Sequence, residues 1–336
     1  MSTPSRKEDH VILATTGDVG FLRKSNGLDE IELPYMALPE MDLRDVSTEV
    51  AFLGRSLSLP LIVVGMTGGY PDAERINAGI ASACAELNIA MGVGSMRAAL
   101  EDHNVTSTFS VVKPFADRIP IVANIGAVQV ALAHREGRLR ELCTYLVDLI
   151  GASALAIHLN PLQELMQPEG EPRFAGVLQS IKAAVHDCPV PIIVKEVGAG
   201  LSGTVVRRLS GVGVTMVDIA GAGGTSWAGV EILRREQPEQ FSEFWDVGIP
   251  TADCLRQCRG IVPVIIASGG ISSGTHVAKA IALGATVVGT ARPVLQAFME
   301  EGTPGVVRLL TKWHDDLRRW MFITGSPTLH NLAHIL

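Results

Sequence analysis

The chain has 336 residues, of which 47% are hydrophobic and 19% are charged. Such a chain can bury one large core or two moderate ones, and it is too apolar for intrinsic disorder. Its net charge of −7 argues against a general nucleic-acid binder, although local basic residues could bind an anionic small molecule. The sequence shows neither an apolar run long enough for a membrane span nor a signal-peptide pattern. We therefore expect a cytoplasmic protein without nucleic-acid or membrane partners.

The cysteines indicate neither a zinc site nor a disulfide framework. They are odd in number and show no repeated CxxC spacing. Two of them lie four residues apart in a segment predicted as helical, with no nearby His or Cys to complete a zinc site. We expect all of them to be reduced: Cys84, Cys143, Cys188, Cys254 and Cys258.

Eight short apolar runs recur along the chain, and each ends in glycine or a polar residue. Runs of this length and β-branched composition are typical of strands covered on both faces. The predicted strands are Leu59–Met66, Asn88–Ser95, Pro120–Gly126, Ala154–Asn160, Pro191–Gly198, Val214–Gly221, Pro263–Gly270 and Thr286–Arg292. The helical patterns between them include Ala73–Leu87, Val128–Ile150, Phe174–Asp187, Leu201–Gly211 and Gly274–Leu283.

This alternation of strands and helices predicts a (β/α)8 TIM barrel. A doubly wound open sheet is the alternative, but eight such units would be unusually many. Residues 1–58 form an N-terminal extension, in which Val50–Leu53 and Arg55–Leu59 are predicted to form a hairpin that closes the barrel bottom. Residues 59–336 form the barrel as a single domain. The connection from Thr225 to Val262 is much longer than the others, and loops of that size are usually functional.

The active site of such a barrel lies at the C-terminal ends of its strands, where this chain has polar residues. Lys195 lies in the middle of the run PIIVKEVG. It is either an ion-paired lysine, for example with Glu196, or an inward lysine that holds an anion or an electron-rich ring. Neighbouring strand residues face opposite ways, so one of the two points into the barrel. We favour a functional Lys195.

The fourth predicted strand carries His158 and Asn160 on one face, and Gln163 and Glu164 follow it. A lone strand histidine is most often a core residue with satisfied hydrogen bonds. Four polar residues within seven positions favour a site instead. A single carboxylate in such a site suits Mg²⁺, which keeps several waters and takes oxygens from a phosphate.

Glycine clusters at 221–224 and 268–270 follow the sixth and seventh strands. Each cluster alone could be a tight turn. Together, and with Arg292 nearby, they predict a cradle for a phosphorylated cofactor, because barrels commonly bind phosphate in this region. The GxGxxG pattern at Gly198–Gly203 is typical of a dinucleotide-binding turn, but it follows the fifth of eight equivalent strands, and we give it little weight.

These residues give the chain a resemblance that extends from residue 6 to Gly325. The sequence resembles the type 2, flavin-dependent isopentenyl-diphosphate isomerases. HLNPLQE at 158–164 and VKEVG at 194–198 are the most specific matches. The other matching segments are RKEDH at 6–10, MTGG at 66–69, GSMR at 94–97, AN at 123–124, PEG at 168–170, DIAGAGGT at 218–225, ASGG at 267–270 and MFITG at 321–325.

The resemblance implies a barrel that binds FMN, which must be reduced for activity, commonly by NADPH. It further implies Mg²⁺, interconversion of isopentenyl and dimethylallyl diphosphates, and assembly as a homotetramer or homo-octamer. The implied FMN contacts are Gly65, Met66, Thr67, Gly68, Ser95, Asn124, Lys195, Thr225, Gly269, Gly270, Ala291 and Arg292. The implied substrate contacts are Arg6, Lys7, Ser95, Met96, Arg97, His158, Asn160 and Gln163, with Glu164 on Mg²⁺.

The resemblance also implies catalytic roles. The reduced flavin would act in proton transfer, with Lys195 stabilising negative charge near it, and Gln163 and Glu231 would handle protons. Glu231 lies in the long connection, where a solvated surface carboxylate is the alternative. Ala220 departs from the family pattern, in which many members have serine. If that serine binds the flavin phosphate, this chain lacks one hydrogen bond, worth about 1 kcal/mol.

Three alternatives remain. The nearest is another FMN barrel, a 2-hydroxy-acid oxidase or a dihydroorotate-type dehydrogenase. Such an oxidase would need a catalytic histidine near the seventh strand, but His276 lies further on, in a predicted helix. A nucleotide dehydrogenase would need a cysteine after the sixth strand, where this chain has Gly-Gly-Thr-Ser. A catalytically inactive binding module would have no reason to keep polar groups in the barrel mouth.

Overall fold

A computed structural model of the chain describes residues 3–336, except for the side chains of residues 3–8 and 16. Eight parallel strands form a closed barrel in the order β3-β4-β5-β6-β7-β8-β9-β10, and β10 pairs back onto β3. These strands are β3 (Leu61–Val63), β4 (Ala90–Gly92), β5 (Ile121–Gly126), β6 (Ala154–His158), β7 (Ile192–Lys195), β8 (Met216–Asp218), β9 (Val264–Ala267) and β10 (Val287–Thr290). The predicted (β/α)8 barrel is confirmed.

Helices precede and separate the strands. They are α1 (Thr3–Thr16), α2 (Ala73–Leu87), α3 (Arg97–Glu101), α4 (Ser107–Ser110), α5 (Ala127–Arg135), α6 (Leu139–Ile150), α7 (Pro161–Met166), α8 (Val177–Asp187), α9 (Gly203–Ser210), α10 (Trp227–Leu233), α11 (Thr251–Cys258), α12 (Gly274–Ala282), α13 (Arg292–Ile323) and α14 (Leu329–Leu332). Short 3-10 helices cover Leu43–Asp45, His103–Val105, Lys113–Phe115 and Pro238–Phe244.

The predicted hairpin is present and lies against the barrel interior. Strands β1 (Val50–Phe52) and β2 (Arg55–Leu57) pair antiparallel, with Leu53 and Gly54 at positive φ in the turn. Phe52 and Leu57 are buried in one apolar cluster with inward residues of the barrel strands, such as Ile62. The hairpin therefore seals the end of the barrel opposite the strand C-termini with apolar side chains.

The predicted helix Val128–Ile150 is wrong as a single helix. The chain forms α5 and then α6, because Gly137 adopts φ +69° between them. A residue in this left-handed conformation ends a helix, and glycine adopts it without steric cost. A second break lies inside the long C-terminal helix, where Gly302 leaves helical geometry two residues before Pro304.

All five cysteines are free, as predicted, and Cys188 is the least buried of them. In the part of the chain that the structure describes, none of the helices combines the length and apolar composition needed to cross a bilayer.

Candidate active site

A cavity of about 550 Å³ opens at the C-terminal ends of the barrel strands. This volume lies within the range of ligand and cofactor sites. Each barrel strand, or the segment directly after it, contributes to its wall, and residues of α1 and α10 line it as well. The predicted site residues that line it are Gly65, Met66, Thr67, Gly68, Ser95, Arg97, Asn124, His158, Asn160, Gln163, Glu164, Lys195, Thr225, Gly269, Gly270, Ala291 and Arg292.

Two predicted site residues lie outside the cavity wall. Met96 is fully buried in the hydrophobic core, so its side chain does not form part of the cavity wall. The sequence could not show this, because a residue directly before a short helix can face either side. Glu231 lies one layer behind the wall, in contact with Gln163. The side chains of Arg6 and Lys7 lie outside the described residues.

Lys195 points into the cavity, and a carboxylate lies behind it. Its Nζ lies 3.7 Å from Oδ2 of Asp218 and donates a hydrogen bond to the carbonyl oxygen of Glu196. Asp218 is almost fully buried. Burial raises the pKa of the Asp218 carboxyl, while the charge of Lys195 and a hydrogen bond from Ser268 oppose that rise.

Glu196 points away from the cavity and closes its own turn. Its Oε2 accepts hydrogen bonds from four successive backbone N–H groups, those of residues 197–200, at 2.5–3.2 Å. Gly198 and Gly200 adopt positive φ, which lets these N–H groups converge on one oxygen. Burial raises the pKa of Glu196, and the N–H donors and Lys195 oppose the rise. The GxGxxG turn therefore encloses a carboxylate of the protein itself.

The glycine clusters after β8 and β9 are packed against each other at the cavity edge. A Cβ added to Gly269, whose φ is +105°, would lie 2.0 Å from the carbonyl oxygen of Gly221. A Cβ on Gly224 would lie 2.5 Å from the nitrogen of Gly270. Only glycine permits this approach, which brings the backbones of the two turns together in the cavity wall. Asn26, from the N-terminal extension, holds the second turn by donating to the carbonyl oxygen of Gly270.

A buried guanidinium lies next to these turns. Arg292 begins α13 and donates from Nη2 to the carbonyl oxygen of Gly17 at 2.8 Å. Its Nε is buried and has no hydrogen-bond partner among the described residues. A buried N–H of a charged group without a partner is costly, and an anionic ligand in the cavity would satisfy it. The residues present therefore fit the phosphate of a cofactor.

The polar residues at the end of β6 and directly after it form two hydrogen-bonded groups. His158 Nδ1 contacts Oδ1 of Asn124 at 2.9 Å, and Asn124 donates to the carbonyl oxygen of Val93. Asn160 donates to Oε1 of Gln163 at 3.3 Å and to Oε1 of Glu164 at 3.1 Å. These contacts fix the side chains at the cavity edge, so His158 is not an isolated core histidine.

The Glu231 carboxylate is buried and fully engaged. Oε1 accepts a hydrogen bond from Nε2 of Gln163 and lies 3.0 Å from Nε2 of His10, while Oε2 lies 2.6 Å from Nη1 of Arg234. Burial alone would raise the pKa of Glu231, but His10, Gln163 and Arg234 outweigh it and hold the pKa below its usual value. Glu231 lies in α10 and has no exposed side-chain surface, so the alternative of a solvated surface carboxylate is wrong.

Several residues of this site received no role from the sequence. Arg234 joins Glu231 to Glu169 at 3.1 Å and to Asp9 of α1 at 3.9 Å. His10 also packs edge-on against Trp227, with ring centroids 5.3 Å apart. Apart from the pair of Arg234 with Glu231, which are three residues apart, these contacts join segments that are distant in sequence, so spacing could not reveal them. The cavity-lining Gln129 did have a local signal, because it follows a strand end in the first turn of a helix.

A protein cage for a metal is absent from the described residues, which contain no group of three or more His, Cys, Asp and Glu side chains that could hold an ion. Glu164 is half-buried at the cavity edge and accepts a hydrogen bond from the backbone of Glu171. A Mg²⁺ ion that takes its other ligands from water and phosphate needs only one carboxylate from the protein.

Comparisons with known proteins agree with this geometry. The FMN-dependent dehydrogenase family matches residues 152–336, more than half of the chain. Isopentenyl-diphosphate delta-isomerase of Methanothrix thermoacetophila is 44% identical over 99% of this chain and 92% of its own. The enzyme of that name from Nostoc is 42% identical, covering 99% and 95%. The chain belongs to the FMN-dependent dehydrogenase and isopentenyl-diphosphate delta-isomerase families.

The structural comparison supports the same fold. Mandelate oxidase with (S)-2-phenylpropionate superposes with a TM-score of 0.66 over 98% of this chain and 92% of that one, at 19% identity. A mandelate oxidase variant with an FMN adduct gives a TM-score of 0.65 over 97% and 90% of the two chains. At this identity the likeness concerns the barrel alone.

Proposed function

We propose that the protein interconverts isopentenyl and dimethylallyl diphosphates. The observation that carries the proposal is the buried Glu231 carboxylate, which Gln163, His10 and Arg234 hold directly behind the cavity wall. Membership of the isomerase family supports the same activity. The alternative of an inactive module is disfavoured, because buried polar groups are costly when they have no use.

The reaction moves a C=C bond along an allylic system, so one carbon gains a proton and another loses one, without net oxidation. Gln163 lies between the cavity and Glu231 and can pass a proton through its amide contact or orient the carboxylate. His10 contacts the same Glu231 oxygen and can exchange a proton with it. His10, Val11 and Ala14 of α1 line the cavity together with Trp227 of α10, and these side chains would help to exclude water from a reactive cation.

The cavity residues suit FMN at the glycine-lined side. Gly65–Gly68, Ser95, Asn124, Lys195, Thr225, Ala291 and the cradle of Gly269, Gly270 and Arg292 would hold it. Reduced FMN, with NADPH as reductant, supplies the proton-transfer chemistry when bound. Lys195 stabilises negative charge beside it.

Other residues of the same cavity suit the diphosphate, and Ser95 would contact both ligands. Ser95, Arg97, His158, Asn160 and Gln163 would contact the diphosphate, with Arg6 and Lys7 added from α1. Glu164 would share one Mg²⁺ with its oxygens.

We further propose that residues 1–58 act as an N-terminal extension and residues 59–336 as the barrel domain. The proposal includes a cytoplasmic homotetramer or homo-octamer. Sedimentation of the purified protein distinguishes these assemblies.

An anaerobic experiment tests the activity. The yellow protein is reduced with dithionite and given Mg²⁺ and isopentenyl diphosphate in D₂O, and the product is followed by NMR. We expect deuterated dimethylallyl diphosphate only with reduced flavin. A protein that retains FMN but forms no product would favour a 2-hydroxy-acid oxidase or dehydrogenase. A colourless protein that takes up no FMN would contradict the cofactor assignment.

The variant Glu231→Gln tests the proton-handling role. We expect the turnover number to fall at least about 100-fold while FMN content stays unchanged. The folded pKa of Glu231 is lowered from 4.5, so its ionised form stabilises the fold above that pH, and this contribution is lost as the pH falls through the folded pKa. The variant should therefore lose stability less steeply in acid. The exposed Glu236→Gln is the control, and full activity of Glu231→Gln would contradict the role.

A further inference from the structure

Lys195 and Asp218 occupy paired positions at the ends of adjacent strands. They are direct partners in the parallel register of β7 and β8. Their side chains are therefore on the same side of the sheet, and Nζ lies 3.7 Å from Oδ2. Lys195 reaches the cavity, whereas Asp218 lies behind it, with 2% of its surface exposed.

Residues of the glycine-rich turns after β8 and β9 hold Asp218 in this place. Its Oδ1 accepts a hydrogen bond from Oγ of Ser268 at 2.6 Å and one from the backbone nitrogen of Ala220 at 3.2 Å. Ser268 begins the turn after β9, and Ala220 belongs to the turn after β8. With Oδ1 engaged, Oδ2 remains directed at Lys195, and the carboxylate cannot rotate away without breaking both bonds.

A purely structural role accounts poorly for this arrangement. Apolar residues of similar volume stabilise a barrel interior at least as well as a buried ion pair does. The ammonium group here is also held from two sides, by the Asp218 carboxylate and by the carbonyl oxygen of Glu196. That leaves it a single orientation, directed at the cavity.

We infer that Asp218 is a positioning residue that fixes the direction of Lys195 and offsets part of its positive charge, and thereby sets the reduction potential of the bound flavin. The inference rests on the proposed function, in which FMN lies beside Lys195. A lysine without this carboxylate would stabilise the anionic reduced flavin more strongly. The Asp218 charge therefore holds the potential below the value that the lysine alone would give.

The test compares FMN-loaded wild-type protein with Asp218→Asn, which keeps the side-chain shape and removes the charge. The midpoint potential is measured by equilibration with a reference dye, and sulfite is titrated as a probe whose flavin adduct is also anionic. We expect a higher potential and about tenfold tighter sulfite binding; tenfold corresponds to about 30 mV for a two-electron couple.

A second variant covers the case in which Asp218→Asn does not fold. Ser268→Ala removes one hydrogen bond to Asp218 and keeps the Asp218 charge. We therefore expect its sulfite affinity to differ from that of the wild type, in either direction, by less than about threefold. If Asp218→Asn does not fold, Ser268→Ala must change the sulfite affinity measurably, since a freed carboxylate changes its distance to Lys195. No change would overturn the inference.

The outcomes separate this inference from the function. An unchanged or lower potential in a folded, FMN-containing Asp218→Asn would overturn the inference and leave the isomerase proposal intact. A wild-type protein that binds no FMN would overturn the proposed function itself. A merely structural Asp218 would lower the melting temperature of the variant without changing its potential.

Discussion

Two glycine-rich regions lie at the same rim of the barrel, and they differ in where their backbone N–H groups point. In the turn after β7, the N–H groups of residues 197–200 converge on the carboxylate of Glu196. In the turns after β8 and β9, Gly221–Gly224 and Gly269–Gly270 pack against each other and line the cavity. The first region carries its own anion, and the second faces the space where a ligand anion would lie.

The difference shows that glycine spacing does not identify a phosphate site. The turn after β7 has the GxGxxG pattern associated with dinucleotides, yet the acidic residue just before it fills the anion position. In the turns after β8 and β9, the Asp218 carboxylate accepts the N–H of Ala220, and Arg292 lines the same cavity with a buried Nε that lacks a hydrogen-bond partner among the described residues. The neighbouring charge decides which region can hold a phosphate.

The largest expected effect comes from removing the Glu196 carboxylate from the turn after β7. Glu196→Ala leaves four converging N–H groups without their acceptor, and we expect a loss of about 3–5 kcal/mol in the free energy of unfolding. The measurement is urea unfolding. FMN content per folded molecule should stay nearly constant, because this turn holds no cofactor in our proposal.

The exposed Glu239→Ala is the matched control and should change stability by less than about 0.5 kcal/mol. If Glu196→Ala lost FMN while keeping its stability, the first turn would be part of the cofactor site and the comparison between the two regions would fail.

A smaller effect should come from the second region. Arg292→Ala removes the buried guanidinium, and we expect FMN to bind about 100-fold more weakly, by roughly 2–3 kcal/mol. Flavin fluorescence during titration of the apoprotein measures this affinity. Arg256, an exposed arginine whose visible partner is Asp253 on the same helix, provides the control Arg256→Ala. Unchanged FMN affinity in Arg292→Ala would show that the cradle does not hold the phosphate.

The smallest effect concerns Ala220, which lies in the cavity wall with φ +39°. Ala220→Ser supplies a hydroxyl, and we expect FMN affinity to rise about fivefold, or about 1 kcal/mol. Ala220→Gly is the matched variant, since it relieves a left-handed alanine and should stabilise the fold by about 1 kcal/mol. If the glycine variant tightened FMN binding as much as the serine variant, backbone conformation and not the hydroxyl would be responsible.

The sequence predicted the barrel because its eight buried strands and their polar ends are local patterns. Strand β5 and helix α2 match their predicted runs closely for this reason. It also predicted the residues that line the cavity, since strand C-termini in a barrel must meet at one rim. The alternation of a strand requires that either Lys195 or Glu196 points into the barrel, and the structure shows that it is the lysine.

The sequence could not predict contacts between distant segments. Nothing local indicates that Glu231 would contact His10 and Gln163, because these residues belong to α1 and α7, whereas Arg234, three residues further along the chain, is a local partner. The same holds for Asp218, whose partner Lys195 is set by the register between two strands. Met96 is the reverse case, a site residue predicted from its local sequence whose side chain packs into the core instead.

Segments from near both ends of the chain meet at the cavity, and this limits when the cofactor can bind during synthesis. Arg292 contacts Gly17, Gly20 pairs with Thr225, and β10 closes the barrel against β3. A nascent chain that has emerged from the ribosome only to residue 280 possesses every strand but the last, and it has no complete cradle. In our proposal, flavin loading must therefore wait until translation is almost finished, because the segments that complete the cradle emerge last.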